Sequence, residues 1–205
     1  MAVRTKVDSI AKLDAPPSNL PQLTAAVAVL RERFPRAWID RYVGAVPTIG
    51  ERVHIAPGVT VIGDVRLADD VSLWPGVVLR GDVNRVEIGA RSNLQDGTVV
   101  HLGDDDPTVV GEEVVVGHRA ILHGCRIEDG CLIGIASTVL DGAVVGHGSV
   151  IGASALVTAG TMIPPRSLVL GTPGRVVKTL TAADEAFYRK LAHKYVRLAH
   201  NHRLA

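Results

Sequence analysis

The sequence predicts a β-solenoid, a stack of short strands built from six-residue units, followed by a C-terminal helix. Three observations carry that prediction. An aliphatic residue returns every six positions through four runs: Ile49, Ile55, Val61, Leu67, Leu73 and Leu79; Ile88, Leu94 and Val100; Val110, Val116 and Leu122; and Ile127, Ile133, Val139, Val145, Ile151, Val157, Ile163 and Val169. Two positions before each aliphatic residue of the last run stands a small one: Cys125, Cys131, Ser137, Ala143, Ser149, Ala155, Thr161 and Ser167. A large and a small residue repeating together at six mark strands that fill a narrow interior and turn at tight corners. Finally, only 3% of the chain is aromatic while 47% is hydrophobic, which suits stacked strands of Val, Ile and Ala better than a core built round rings.

Taken in order, residues 1–45 precede the repeat as an N-terminal extension. Pro16, Pro17 and Pro21 mark an irregular lead-in, and Leu23 to Phe34 reads as a short helix ended by Pro35, a candidate cap for the solenoid. Residues 46–174 carry the repeat. Its beat slips in three places, which flank Arg80 and Asp82, follow His101, and follow His123. Residues 175–205 change character after Gly171-Thr172-Pro173-Gly174. Thr181 and Asp184 resemble a capping box with Asp in the acceptor position, and Tyr188, Leu191, Tyr195 and Leu198 recur at helical spacing. A helix from Ala182 to His200 lying along the solenoid's flank is expected.

Charge is nearly balanced, with 22 Lys+Arg against 21 Asp+Glu, so nothing points to nucleic acid or an anionic membrane surface. The opening residues MAVRTKVDSI lack an apolar signal core, and no stretch reaches the roughly 18 apolar residues of a membrane span. A soluble, cytoplasmic protein is expected. Cys125 and Cys131, the only cysteines, sit at small inward positions of successive units, a spacing that serves neither a disulfide nor a Cys-x-x-Cys metal site.

Strand side chains alternate, so the residue after each aliphatic one should point outward. That position is Gly or Ala in nine of the twenty units, and carries a charged, amide or imidazole side chain at Arg80, Gln95, His101, His123 and Glu128. If three units make one coil, as in the hexapeptide-repeat proteins this chain resembles, the units led by Leu79, Val100 and Leu122 share a face. Arg80, His101 and His123 then form a column with steps of about 4.8 Å. His118 lies two positions after Val116, in a unit on the preceding face, with Gln95 in the unit directly below. One side of a coil is on the order of 20 Å across. One ion does not readily collect His118 with the other two from a single subunit, and a site shared between chains, as a cyclic trimer would supply, is favoured. Three imidazoles with a vacant fourth position suit catalytic zinc, and they suit iron or cobalt as well.

At these residues the chain resembles the gamma-class carbonic anhydrases. The resemblance runs through LRGDVNRVEIGARSNLQDGTVVH, Leu79 to His101, and PTVVGEEVVVGHRAILHGC, ending at Cys125. It implies a left-handed parallel β-helix, a homotrimer, and metal at subunit interfaces held by His101, His118 and His123. It further implies that Gln95 holds the metal-bound hydroxide or orients carbon dioxide, with Asn93 as its neighbour. Arg80 and Asp82 match a pair tied to subunit contact and site organisation, and Tyr195 a tyrosine near the metal. Val83 departs from the family's glutamate, and the loop carrying Asp104, Asp105 and Asp106 is short, so no proton shuttle is assigned. His147 and His54 read as structural; His193, His200 and His202 read as solvated residues of the helix.

Reversible hydration of carbon dioxide to bicarbonate by a metal hydroxide is the leading function. The alternatives are a hexapeptide-repeat acyltransferase, which needs a basic histidine and no metal, a metal-dependent thioesterase, and a trimeric scaffold whose metal only fastens subunits.

Overall fold

Each six-residue unit forms a two-residue strand and a corner, and three units return the chain to the face it left. Thr138–Val139 pairs in parallel with Leu156–Val157, Val144–Val145 with Met162–Ile163, and Val150–Ile151 with Leu168 and Val169. The computed structural model describes residues 17–204, and in them this rule builds a parallel β-solenoid of about seven turns. Face one carries Val78, Val99, Ile121 and Thr138 in register, face two Glu87, Val109, Arg126 and Val144, and face three Ser72, Asn93, Val115 and Leu132. The chain visits face two, then three, then one. The repeat's aliphatic residues fill the interior, with Leu73, Leu79, Leu94, Leu122, Ile133 and Ile151 fully buried.

The small inward positions behave as expected. Cys125, Cys131, Ser137, Ala143, Ser149 and Ala155 are buried, and serines there bond corner backbone, as Ser149 Oγ does to Pro164 O at 3.1 Å. Burial pushes both thiols up to about 12, so they are protonated and unreactive near neutrality.

The corner between faces two and three places Arg52, Asp70, Arg91 and Glu113 at φ of 53°, 59°, 60° and 56°. This left-handed conformation is uncommon outside glycine, and it stacks the four side chains as a ladder of alternating charge. Arg52 donates to Asp70 at 2.9 Å and Arg91 to Glu113 at 3.1 Å.

The first helix, α1 (Leu20–Arg33), begins three residues before the expected start because Pro21 fits its opening turn. Its Val27 is buried. Trp38–Asp40 lies ahead of residue 46 yet already pairs with Thr60–Ile62, so the solenoid's first strand falls outside the six-residue pattern and inside the expected extension. The second helix, α2 (Ala182–Leu204), runs past the expected end at His200. Thr181 N–H donates to Asp184 Oδ2 at 2.8 Å and Asp184 N–H to Thr181 Oγ1 at 3.2 Å, which makes the capping box real.

α2 docks on face three and the charged corner. Arg189 donates to Glu113 at 2.6 Å, Tyr195 meets Trp74 edge-on, and the buried Ala192 and Ala199 allow close approach. The helix histidines are exposed, as expected, yet two of them also touch the solenoid: His193 pairs with Glu113 at 3.1 Å, and His202 meets Trp74 edge-on with ring centroids 5.2 Å apart. Among the described residues no helix is long and apolar enough to cross a membrane.

Candidate metal centre

Face one carries one cluster of polar side chains. His123 lies in register on His101, and Leu79 on Val100, so Arg80, His101 and His123 form the expected column. The slip after Gly81 brings Asp82 beside it. Arg80 makes an ion pair with Asp82, whose other oxygen accepts from His101 Nε2 at 3.0 Å. Burial would raise the Asp82 carboxyl, but the His101 hydrogen bond and the Arg80 charge outweigh it and hold the group below the usual carboxylate range. His123 Nδ1 donates to Asp141 Oδ1 at 2.8 Å.

These carboxylates fix the tautomers. With Nε2–H of His101 committed to Asp82 and Nδ1–H of His123 to Asp141, neutral rings turn lone pairs toward each other from His101 Nδ1 and His123 Nε2, atoms 3.1 Å apart. Two facing lone pairs at that distance repel unless a proton or a cation lies between them. Two zinc–imidazole bonds of about 2.0–2.1 Å at a tetrahedral angle would put the nitrogens roughly 3.3 Å apart, so the pair fits an ion as two of its ligands.

A second cluster gathers where face three turns toward face one. His118 Nδ1 donates to Asp96 Oδ2 at 2.9 Å, leaving Nε2 to point away with its lone pair. Gln95 Nε2 donates to Asn93 Oδ1 at 3.3 Å. The outward direction expected of Gln95 does not make it exposed: it is 6% accessible and Asn93 is fully buried, since this face is the one α2 covers. Tyr195 packs against Trp74 with centroids 6.0 Å apart, and burial together with the charge of Asp96 raises its phenol pKa.

The eight sequence-derived residues therefore fall into two groups on one chain. Arg80, Asp82, His101 and His123 are together on face one; Asn93, Gln95, His118 and Tyr195 belong to face three and its corner. Among the described residues no three His, Cys, Asp or Glu side chains of the single chain come together as an ion site. Sequence reasoning missed Asp96 and Asp141. Both stand two positions after an aliphatic residue, Leu94 and Val139, and Asp96 occupies the same unit position as His118 one coil below. Each of the three histidines thus has one ring nitrogen held by a carboxylate, the arrangement that orients metal-bound imidazoles.

The chain is similar in sequence and in fold to known proteins. The family model "Bacterial transferase hexapeptide (six repeats)" matches residues 47–81. The chain is 54% identical over 151 residues to the "Probable carbonic anhydrase" of Methanocaldococcus jannaschii, covering 74% of this chain and 95% of that one. It is 41% identical over 162 residues to "Gamma carbonic anhydrase 1, mitochondrial" of Arabidopsis thaliana, covering 76% of this chain and 59% of that protein. Among solved structures it is similar to a hexapeptide transferase family protein from Anaplasma phagocytophilum, with a TM-score of 0.76 and 35% identity over 80% of this chain and 97% of the other.

Proposed function

This chain belongs to the gamma-class carbonic anhydrase family, and on that premise we propose that it hydrates carbon dioxide reversibly to bicarbonate at metal sites shared between the subunits of a homotrimer. The observation that carries the reading is the facing pair of imidazole lone pairs on His101 and His123, each ring anchored by a carboxylate. His101 Nδ1 and His123 Nε2 would hold the ion from one subunit and His118 Nε2 from its neighbour. Zinc suits this all-imidazole donor set, and so do iron and cobalt. When bound, the ion supplies a Lewis acid that brings the pKa of coordinated water to about 7.

The chain's own residues do the rest. Asp82, Asp96 and Asp141 hold the three rings in the tautomers that present a lone pair, and Arg80 keeps Asp82 ionised. Gln95, fixed by Asn93, retains a free amide oxygen and one N–H with which to orient carbon dioxide or bicarbonate. Tyr195, whose phenol pKa burial raises further above neutrality, serves as a hydrogen-bond donor. Val99 and Ile121 precede the two column histidines in sequence, and both are exposed, as is Ile135. Such an apolar flank beside a polar cluster is what a neighbouring subunit would cover. Acyl transfer needs a single basic histidine and leaves the opposed lone pairs unexplained.

Metal analysis combined with stopped-flow carbon dioxide hydration tests the reading. Bound metal and hydration, both lost in His118→Ala, are expected. Metal without hydration overturns the activity, and full metal occupancy in His118→Ala overturns the shared site.

A further inference from the structure

Where the last turns of α1 and α2 approach the first coil, the surface encloses a pocket of about 280 Å³. Its wall carries Arg33, Arg36, His54, His202 and Arg203, and among the described residues no carboxylate lines it. In a chain of net charge +1 this is an uneven distribution. Elsewhere Arg31, Arg52, Arg66, Arg80, Arg91 and Arg189 each meet a carboxylate within 4.0 Å. Arg33 and Arg203 instead donate to main-chain oxygens of one turn, Arg33 to Ile49 O at 3.2 Å and Gly50 O at 2.6 Å, and Arg203 to Arg52 O. These bonds steady the guanidinium groups without neutralising them.

The positive field extends beyond the pocket. Arg203 also lines an adjoining hollow with Lys194, Arg197 and His200, where the one acid among the described residues, Asp70, is engaged by Arg52. Burial, then the charges of His202 and Arg203, lower the His54 pKa. Helix dipoles favour cations in a last turn, which accounts for Arg33, His202 and Arg203 being basic; Arg36 and His54 lie outside both helices and need another reason. The pocket's floor is apolar, formed by Phe34, Val53, Ile55 and Pro57.

We propose that this pocket binds a small phosphomonoester, its phosphoryl group held by Arg33, Arg36 and Arg203 and its organic body resting on Phe34 and the aliphatic floor. Guanidinium forks match phosphate oxygens two at a time, and three arginines lining one pocket with no carboxylate among the described residues are a composition that a dianion completes. The ligand is soluble and small, since a pocket of this size admits a phosphate and one ring.

The test is calorimetric titration of the whole chain as purified, and again after EDTA, with phenyl phosphate, with inorganic phosphate and with phosphatidate vesicles. One phenyl phosphate per chain is expected, bound more tightly than inorganic phosphate and equally well after EDTA. Arg36→Ala and Arg203→Ala should each weaken it about tenfold or more, with thermal melting showing that both variants are folded, whereas the exposed Arg126→Ala leaves it unchanged. Absence of binding at millimolar concentration, loss of binding with EDTA, equal weakening by Arg126→Ala, or binding confined to phosphatidate vesicles would each overturn the proposal.

Discussion

Replacing Asp141 by asparagine should weaken metal binding about tenfold while leaving the fold intact. Asp141 accepts from His123 Nδ1 at 2.8 Å, and its charge makes the opposite ring nitrogen, Nε2, a better donor to an ion. Asparagine keeps an acceptor oxygen and loses the charge; alanine loses both and frees the ring to turn. The expected losses are about tenfold for Asn and about a hundredfold for Ala, roughly 1.4 and 2.7 kcal/mol. The cost to folding is smaller. The two side chains are 34% and 41% exposed, and a pair so open to water contributes at most about 1 kcal/mol. Competition for zinc against a chromophoric chelator reads the first quantity, and the melting temperature of the metal-free protein reads the second. A change under about threefold in both variants, against the 10–100-fold usual for such partners, would refute the claim that His123 presents Nε2 to an ion.

Three other outcomes follow from the same structure. A Cβ added to Gly134 would lie 2.5 Å from Ala153 N and Gly152 C and 2.6 Å from Ile151 O, all backbone of the next coil. Gly134→Ala should therefore destabilise by about 1–3 kcal/mol in a denaturant melt, while Gly44→Ala, with nothing within 4 Å of its Cβ, should not. Leu122, fully buried beneath the histidine column, should cost about 2–5 kcal/mol when cut to alanine, measured in the same melt. Burial would raise the Glu113 carboxyl, but hydrogen bonds from Arg189, Arg91 and His193 prevail and hold it below its ordinary value. A carboxyl depressed on folding stabilises above its unfolded pKa of about 4.3 and ceases to do so as pH falls through the folded value. Hydrogen exchange should show α2 loosening first on acidification from pH 5, and Glu113→Gln should loosen it already at neutral pH.

The solenoid was legible because every coil repeats the same demands, so period six alone gives the faces, and counting across the slips lands His123 on His101. The site was legible only as far as that count reaches. Asp96 was open to the same method, being one coil below His118 at the same unit position, whereas Asp141 is displaced by one residue from the level of His123 and emerges only from side-chain geometry. Trp38–Asp40 joins the sheet without the hexapeptide beat because Ile39, buried over Val61, does the packing. His202 meets Trp74, 128 positions away in the chain, through the docking of α2, and no local pattern encodes that contact. The burial of Gln95 has the same origin.

One measurement addresses the shared site most directly: co-assembly of two variants, each defective in a different half. His118→Ala keeps the face-one pair, and His123→Ala keeps His118 and its Asp96 partner. If each ion takes ligands from two subunits of a cyclic trimer, random mixing in equal parts should restore about a quarter of the wild-type metal content and hydration rate, since one in four interfaces joins the two intact halves. Neither variant alone should show either. Mixed assemblies that stay as empty and inactive as their parents would contradict the account.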